Sequence, residues 1–504
     1  MNTRLLSSIF LGLALFLLLF TASPALRPVS AENTAHDPTW WSKYEFILNN
    51  GADTDPGTTT TSLSIDGNVD VSNECGPQSE TFITLDPNKP KTLAAGSNEI
   101  FRLPMRGYYS SNGGTSWGGV DLPLPPPKSK SGIDFGSDPT LAFDSRGNVF
   151  YGYIVVFFAK GNGINGTQMA VAKSTDGGKT YPSATFFDFE NGTNHFNDKP
   201  MITADQNLVS PFRDNVYIAW DAASGGSIGG GVRLATSTDH GATFSTKRVD
   251  DPSGPGQSIG ASPAVGPNGE VYVAWNDYVA NAIVFNRSFD GGNTWGTPVT
   301  ISSKTLPFDI RIPAESFRGA LVYPSLDVDR SSGIHQGRLY CSWMDLTAAN
   351  VTDIFISYSD DNGATWADAA PVTDQFSTPV DRFNHWMSVD PVTGGVNVAF
   401  YDTRNDTTGS RYQTDYYLTR SSDGASWSAA DIRVSSVSSN EHDCDGVFPC
   451  LGINYGNQQG DYEGLVSYGG VSYPIWTDSR RQLDAATGCR RPYLMEEVFT
   501  AKVK

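Results

Sequence analysis

The sequence predicts an all-β chain folded as a single β-propeller of four-stranded blades, with seven blades favoured and six as the alternative. The first observation is an eight-residue box, Ser-x-Asp/Asn-x-Gly-x-Thr/Ser-aromatic, which occurs five times and once more in a form shortened by one residue. The second is the spacing, because consecutive boxes are 51 to 71 residues apart and each interval fits one small sheet. The third is that two β-rich runs recur before each box. The boxes begin at Ser110, Ser174, Ser237, Ser288, Ser359 and Ser421.

Each box has the features of a hairpin turn between the third and fourth strands of a blade. Such a turn needs φ > 0 at a fixed position, and the glycines found there, such as Gly178 and Gly363, adopt it without a Cβ clash. The Asp accepts hydrogen bonds from the N–H groups of the turn, and the terminal aromatic ring fills space between strands. Every box residue thus has a structural role, and we expect neither catalysis nor metal binding there.

Counting by first and second strands favours seven units. The seventh begins at Asp461, in GDYEGLVSYGG, lacks a box, and is followed by only one more strand, EEVFTAKV. A four-stranded last blade therefore lacks a strand, which residues 61–72 can supply. Because this closure leaves no open sheet edge, we assign residues 61–504 to one propeller domain. The units start near Glu80, Asp138, Asp198, Ser262, Tyr323, His385 and Asp461.

The N-terminus predicts export. MNTRLLSSIFLGLALFLLLF has a short basic start and an apolar run, and Val29-Ser30-Ala31 offers small residues for cleavage. We therefore expect a secreted, extracellular protein with a signal peptide at residues 1–31. An uncleaved anchor is the alternative, since the run is near the length that spans a bilayer, and no later segment is apolar enough to span. Residues 32–60 are interpreted as an irregular arm and linker.

Composition narrows the class of partner. A net charge of −19 and a pI near 4.6 exclude a broad basic face for nucleic acid.

Five cysteines permit disulfides in an exported chain: Cys444 and Cys450 are the natural pair, Cys75 and Cys489 could join the chain ends, and Cys341 is expected to be a buried thiol. No Cys or His pair has zinc-ligand spacing, so we expect no metal and no cofactor, and we expect a monomer.

Strand parity places a functional site on the face away from the boxes, which we name the non-box face. In an up-and-down blade the first-to-second and third-to-fourth turns share one face, so first-strand starts and second-strand ends meet on the other. A polar ring is predicted there. First-strand starts contribute Glu80, Asp138, Asp198, Lys199, His385, Asp461 and Tyr462. Second-strand ends contribute Asp221, Asp277, Tyr278, Asp345, Asp402, Arg404, Asp478 and Arg480, and connecting loops add Arg311, Glu315, Arg318 and Arg382.

The boxes resemble the Asp-box, or BNR, repeats of the sialidase (neuraminidase) superfamily, and the matching units cover roughly residues 79–436. The resemblance implies a propeller and, for an enzyme, sialidase-like glycoside hydrolysis. Sialidases hold the substrate carboxylate with three arginines, attack with a Tyr activated by a Glu, and use an Asp as acid and base. Carried onto this sequence, the template implies Tyr462 with Glu463, an acid at Asp138 or Asp198, and a clamp of Arg311 (in IRIP), Arg404 and Arg480. Further candidates for substrate binding are Arg318, Arg382, Asp402 and Asp478.

Three functions fit this sequence. The first is exo-sialidase activity. The second is a different glycosidase that uses two carboxylates about 5 to 10 Å apart, for which Asp138, Asp198, Asp221 and Asp402 are candidates. The third is a noncatalytic extracellular propeller that binds a glycan or a protein, because Asp-box repeats also occur in such proteins. A glycan or glycoconjugate is the expected partner.

Overall fold

The computed structural model describes residues 38–52, 63–65, 67–72, 76–128, 133–158, 164–191, 197–222, 230–251, 253–254, 256–305, 309–315, 319–376, 378–440, 459–481 and 495–504. The predicted signal peptide, Arg318, and the four cysteines expected in disulfides lie outside these ranges. Cys341 is a buried free thiol, as predicted. In the described part of the chain, no helix is long and apolar enough to cross a membrane.

The elements follow one another as a helix, a small hairpin and seven antiparallel blades. The helix is α1 (Pro38–Asn50), and the hairpin is β1 (Leu63–Ile65) with β2 (Asn68–Asp70). Blade 1 contains β3 (Gln78–Asp86), β4 (Lys89–Glu99), β5 (Arg106–Ser110) and β6 (Gly118–Asp121). Blade 2 contains β7 (Asp134–Phe143), β8 (Val149–Phe158), β9 (Ile164–Ser174) and β10 (Ala184–Asn191).

Blades 3 and 4 repeat this order. Blade 3 contains β11 (Asn197–Ala204), β12 (Val216–Ala222), β13 (Gly231–Ser237) and β14 (Ser245–Arg248). Blade 4 contains β15 (Ser258–Val265), β16 (Val271–Asp277), β17 (Ala282–Ser288) and β18 (Val299–Ser303). A two-stranded sheet of β19 (Asp309–Ile310) and β20 (Ala320–Leu321) lies between blades 4 and 5 in the sequence.

The last three blades complete the fold. Blade 5 contains β21 (Ser325–Val328), β22 (Leu339–Leu346), β23 (Thr352–Ser359) and β24 (Ala370–Pro371). Blade 6 contains β25 (Arg382–Val389), β26 (Val396–Asp402), β27 (Asp415–Ser421) and β28 (Ile432–Arg433). Blade 7 contains β29 (Gly464–Tyr468), β30 (Val471–Arg481) and β31 (Met495–Thr500), followed by β2 and then β1.

The blades close into a ring. The first strands contact one another in the order β3, β7, β11, β15, β21, β25, β29 and back to β3, so they surround a central axis. The outer edge of blade 7 is covered by β2, which pairs with β31 through Val69 opposite Thr500. Second strands such as β12 are buried along their whole length, because neighbouring blades cover both faces of a sheet. The prediction of a seven-bladed propeller of four-stranded blades is confirmed, with β1 added as a fifth strand to blade 7.

The boxes are the turns between third and fourth strands in blades 1 to 6, as predicted. In blade 5, the N–H of Gly363 donates to Ser359 Oγ over 2.9 Å, and Ser359 Oγ donates to Asp361 Oδ1 over 2.8 Å. Asp361 Oδ1 also accepts from the N–H of Thr365 at 2.9 Å. Gly363 has φ of +79°, and a Cβ there would collide with the Phe285 ring of blade 4. The box therefore fixes both the turn and its contact with the neighbouring blade.

The box serine supports a first prediction. Ser359 is 2% exposed, so Ser359→Ala leaves a buried N–H without its acceptor and is expected to lower the free energy of unfolding by about 1 to 3 kcal/mol. Denaturant titration measures this change. Ser303→Ala at the exposed end of β18 is the control, with a change within about 0.5 kcal/mol. Equal stability of the two variants would contradict a structural role for the box.

Part of the arm that we expected to be irregular forms α1. Trp40, Tyr44 and Ile47 follow a helical spacing and are 2 to 5% exposed, so the helix buries one face against the propeller. Its Phe46 ring stacks on Phe101 with the ring centroids 3.9 Å apart. The arm therefore belongs to the folded body as far as residue 50.

Candidate functional site at the non-box end of the axis

The first strands carry bulges near their starts. In blades 1, 2, 3, 4 and 6 the pairing with the second strand shifts by one residue, and in blade 4 the bulge holds Gly260 with φ of 73°. Each of the other four bulges contains a residue with positive φ: 51° at Glu80, 59° at Asp138, 51° at Lys199 and 44° at Asn384. Non-glycine residues rarely adopt this conformation, and a bulge re-aims a side chain. Strain at equivalent places in four blades points to a constructed site on the axis.

Four charged residues meet there, and we name Glu80, Asp138, Lys199 and Asp461 the axial cluster. Lys199 Nζ lies 2.8 Å from Glu80 Oε1 and 2.5 Å from Asp461 Oδ2. The backbone N–H of Lys199 donates to Asp138 Oδ2 over 3.2 Å. All four side chains are buried, with residue exposures of 2 to 3%. The Lys199 amine thus joins blades 1, 3 and 7, and the Lys199 backbone N–H adds Asp138 of blade 2.

Polar and aromatic neighbours complete the surroundings of the axial cluster. Asn98 Nδ2 donates to Glu80 Oε2 over 2.7 Å, and Asn98 Oδ1 accepts from the N–H of Asp138 over 2.8 Å. The rings of Tyr462 and Tyr323 lie 5.1 and 5.6 Å from Lys199 Nζ, within the range of cation–π attraction. The cluster therefore combines hydrogen-bonding groups with two aromatic faces.

Two groups of the cluster, Glu80 and Lys199, have shifted pKa values. Burial raises the pKa of Glu80 to about 8, although Lys199 opposes the shift, and the nearby Asp138 and Asp461 add to it. Burial disfavours the charge of Lys199, but Asp461 and Glu80 outweigh burial and raise the pKa of the amine well above its ordinary value. Lys199 therefore stays charged opposite Asp461, while Glu80 retains a proton at neutral pH.

Tyr462 and Glu463 face different surroundings, as expected for neighbours along a strand. The Tyr462 hydroxyl donates to the backbone oxygen of Pro139 over 3.2 Å, and burial raises its pKa well above the ordinary value. Glu463 Oε1 accepts from the Tyr401 hydroxyl at 2.6 Å and from the N–H of Thr477 at 3.0 Å. The structure thus brings Tyr462 into the axial site with Asp138 and places Glu463 between blades.

Three of the five arginines predicted for substrate binding are engaged with carboxylates. Arg382 contacts Asp353 and Asp402 at 2.8 Å each. Arg404 contacts Asp402, Asp374 and Asp431 at 2.6 to 2.8 Å, and Arg480 contacts Asp478 at 2.5 Å. The predicted residues Asp402 and Asp478 are therefore partners of these arginines. Arg311 is exposed beside the buried Ile310 and Ile312.

Other residues of the predicted polar ring lie apart from the axial cluster. Asp198 lies opposite Asp221 across β11 and β12, so the two side chains share one face of blade 3. Burial raises the pKa of Asp221 to about 7. His385 Nε2 is 2.9 Å from Ser342 Oγ, and burial lowers the pKa of His385 to about 4, so that histidine is neutral. Asp198 and Asp221 thus form a carboxyl pair outside the axial cluster.

The sequence prediction did not select Asn98, and it placed Lys199 and Asp461 in the polar ring without a role. The sequence nevertheless contains a pattern that marks where first strands reach the axis. Asp138-Pro139, Lys199-Pro200 and Tyr323-Pro324 place a polar or aromatic residue before proline at the same point of three units. The residue before proline avoids helical conformations, and here each such dipeptide lies where a first strand reaches the axis.

Two cavities lie near these groups, and neither contains the axial cluster. One of about 150 Å³ runs along the axis and is lined by all seven first strands, including Phe82, Met201 and Trp386. The other, of about 180 Å³, lies at the non-box side of blade 4 beside Ser258, Trp275 and Asp277. Within the described ranges, no group of three His, Cys, Asp or Glu side chains is arranged to hold a metal ion.

Comparisons with known proteins concern the architecture. The chain is a seven-bladed Asp-box propeller. No family model and no curated protein matches the sequence. Among solved structures, the Hadza microbial sialidase Hz136 is similar with 16% identity and a TM-score of 0.45, over 64% of this chain and 63% of that chain. A leech intramolecular trans-sialidase has 13% identity and a TM-score of 0.42, over 71% and 68%. The α-L-arabinofuranosidase Arb93A from Fusarium graminearum, as its E242A mutant, has 11% identity and a TM-score of 0.45, over 71% and 98%.

Proposed function

We propose that the chain is an extracellular glycoside hydrolase that acts on uncharged glycans at the axial cluster. One observation carries the proposal: two carboxyl groups on the axis, Glu80 and Asp461, contact the same nitrogen of Lys199 at 2.8 and 2.5 Å. Their contacting oxygens are therefore no more than about 5 Å apart, which reaches the short end of the about 5 to 5.5 Å found between the carboxyl groups of retaining glycosidases. Export is supported by the apolar N-terminal segment.

The protonation of the pair suits this chemistry. A retaining mechanism needs one protonated carboxyl as general acid and one carboxylate as nucleophile. Glu80 supplies the first because its pKa is raised to about 8. Asp461 supplies the second because it faces the charged amine of Lys199. The rings of Tyr323 and Tyr462 beside the same amine offer apolar faces for a sugar ring.

The arginines argue against an acidic sugar. A sialic acid carboxylate needs guanidinium groups that are free to bind it in a bidentate manner. Arg382, Arg404 and Arg480 are each committed to aspartates, and the axial cluster has three carboxyl groups for one amine. We therefore favour neutral glycosides over the exo-sialidase reaction that the family resemblance implies.

The test is hydrolysis of a panel of chromogenic glycosides that includes a sialoside. Glu80→Gln and Asp461→Asn are each expected to lower kcat/KM by about 10²- to 10⁴-fold, and wild-type activity is expected to fall above pH 8 as Glu80 ionises. The control is Asp176→Asn in the exposed box of blade 2, which should keep full activity. Preference for the sialoside, or unchanged activity of Glu80→Gln, would contradict the proposal.

A noncatalytic glycan-binding propeller is the second candidate, and the burial of the axial cluster favours it. Glu80, Lys199 and Asp461 are each 3% exposed, so a rigid propeller would keep them as structural ion pairs. Binding on a glycan array without turnover of any glycoside would support this candidate. Sedimentation velocity in the same samples tests the expectation of a monomer.

A further inference from the structure

Helix α1 packs on blades 1 and 2 beside the axial cluster. Trp40, Tyr44, Phe46 and Ile47 are 2 to 5% exposed. Trp40 Nε1 donates to Ser137 Oγ over 3.0 Å, and Ser137 Oγ donates to Asp138 Oδ1 over 2.7 Å. Two successive hydrogen bonds therefore connect the helix to a carboxyl of the cluster.

The same helix buries a lysine that has no carboxylate partner among the described residues. Lys43 is 4% exposed, and its Nζ donates to the backbone oxygens of Glu99 at 2.5 Å and Gly136 at 3.5 Å. The amine also lies 4.4 Å from the centre of the Phe135 ring. Two carbonyls and one ring do not neutralise a buried cation.

The charged groups that face Lys43 do not offset the free-energy cost of burying its charged amine. From blade 1, the Glu99 carboxyl attracts the amine more strongly than the other charged groups do, although less than burial disfavours its charge. Glu99 Oε1 also accepts hydrogen bonds from the hydroxyls of Ser97 and Tyr108, each at 3.1 Å. Arg102, also from blade 1, repels the amine, while Asp138 of blade 2 attracts it from the axial cluster. The docked helix thus holds its lysine most easily in the neutral form.

We propose that α1 is a latch over the blade 1 and blade 2 side of the axial cluster, and that protonation of Lys43 weakens its docking and opens the cluster. Burial lowers the pKa of Lys43 to about 7 from 10.5. Docking is therefore strongest above the ordinary lysine pKa, weakens as pH falls toward 7, and stays at its weakest below 7. The regulatory meaning of the latch rests on the proposed function of the axial cluster, to which α1 is connected through Ser137 and Asp138.

Hydrogen exchange measured by mass spectrometry on the full chain tests the docking. The two pKa values predict that protection of residues 38–50, corrected for intrinsic exchange, falls about 90-fold between pH 9 and pH 6. Lys43→Met should abolish that fall, and Lys502→Met at an exposed position should retain it. Protection of Val216–Ala222 reports whether the blades themselves change. The proposal is overturned if protection of the wild-type helix does not depend on pH, or if protection falls as much in Lys43→Met as in the wild type.

Carboxyl labelling with a carbodiimide and glycine ethyl ester at pH 6 tests the opening. We expect Asp138 and Glu80 to be labelled at least several-fold more slowly in Lys43→Met than in the wild type and Lys502→Met. Equal labelling rates overturn the latch. Both measurements read the structure directly, so inactivity on glycosides would count against the proposed function while leaving these results informative about α1.

Discussion

Arg382→Met is expected to lower the free energy of unfolding by about 3 to 5 kcal/mol, because removing one partner leaves buried charges uncompensated. Arg382, Asp353 and Asp402 have fully buried side chains. The guanidinium also donates to the backbone oxygen of Gln375 and to Thr378 Oγ1, each at 3.0 Å. One side chain therefore joins blade 5, blade 6 and the segment between them. Since small domains are stable by about 5 to 15 kcal/mol, we expect a large fall in the denaturant midpoint.

A matched ion pair isolates burial as the cause. Arg338 contacts Asp360 through two bonds of 2.7 and 2.8 Å, but Asp360 is 58% exposed. Asp360→Asn, which leaves Arg338 bonded to the backbone oxygen of Asp423, should therefore cost about 1 kcal/mol or less. Combining Arg382→Met with Asp353→Asn should recover part of the loss, since it removes one uncompensated carboxylate. A loss in Arg382→Met no larger than that in Asp360→Asn would show that the buried network is not needed.

The same network explains why the sequence predicted the arginine positions better than their roles. Arg382 and Arg404 were placed correctly near the non-box face by strand parity. Their partners Asp353, Asp374 and Asp431 lie 27 to 30 residues away along the chain and carry no local motif. Pairing of this kind depends on how neighbouring blades are placed, which the repeat pattern does not encode.

The fold was predictable because it repeats. Six boxes at regular intervals predicted both the blades and the face on which the turns lie, and a single missing strand in the last unit predicted closure near residues 61–72. The helix α1 occurs once and has no repeat to mark it. Its Trp40, Tyr44 and Ile47 spacing is helical, but TDPGTTTT after it suggested a loop.

The axial cluster was only partly predictable. Period-two alternation correctly separates Tyr462 from Glu463. It cannot foresee the bulges that turn Glu80, Asp138 and Lys199 toward the axis, because a bulge adds one residue and changes the face of those that follow. Glu80 and Lys199, whose side-chain directions depend on a bulge, therefore received no role from the sequence.

Glu463 supports the second large prediction, which concerns pH. Burial raises its pKa to about 8 against an ordinary value of 4.5, although Thr81, Tyr401 and Thr477 donate hydrogen bonds that oppose the shift. The folded state thus holds a proton that the unfolded state has lost. This contribution to stability is fully present below about pH 4.5 and is lost as pH rises through 8, at about 1.4 kcal/mol per pH unit between the two values.

The wild-type chain is therefore expected to be more stable at pH 5 than at pH 8 by several kcal/mol, measured by denaturant titration at each pH. Glu463→Gln keeps a neutral group of similar shape in the same pocket. This variant should therefore lose the part of the pH dependence of the free energy of unfolding that Glu463 causes, and it should be more stable than the wild type at pH 8. Asp239→Asn in an exposed box is the control, since the pKa of Asp239 is lowered to about 2 by hydrogen bonds from Thr243 and does not titrate in this window. Glu80, whose pKa is also raised to about 8, should contribute a second, separable share that Glu80→Gln removes. If the slope between pH 5 and pH 8 is the same in the wild type and Glu463→Gln, then Glu463 is ionised in the folded state and its three donors outweigh its burial.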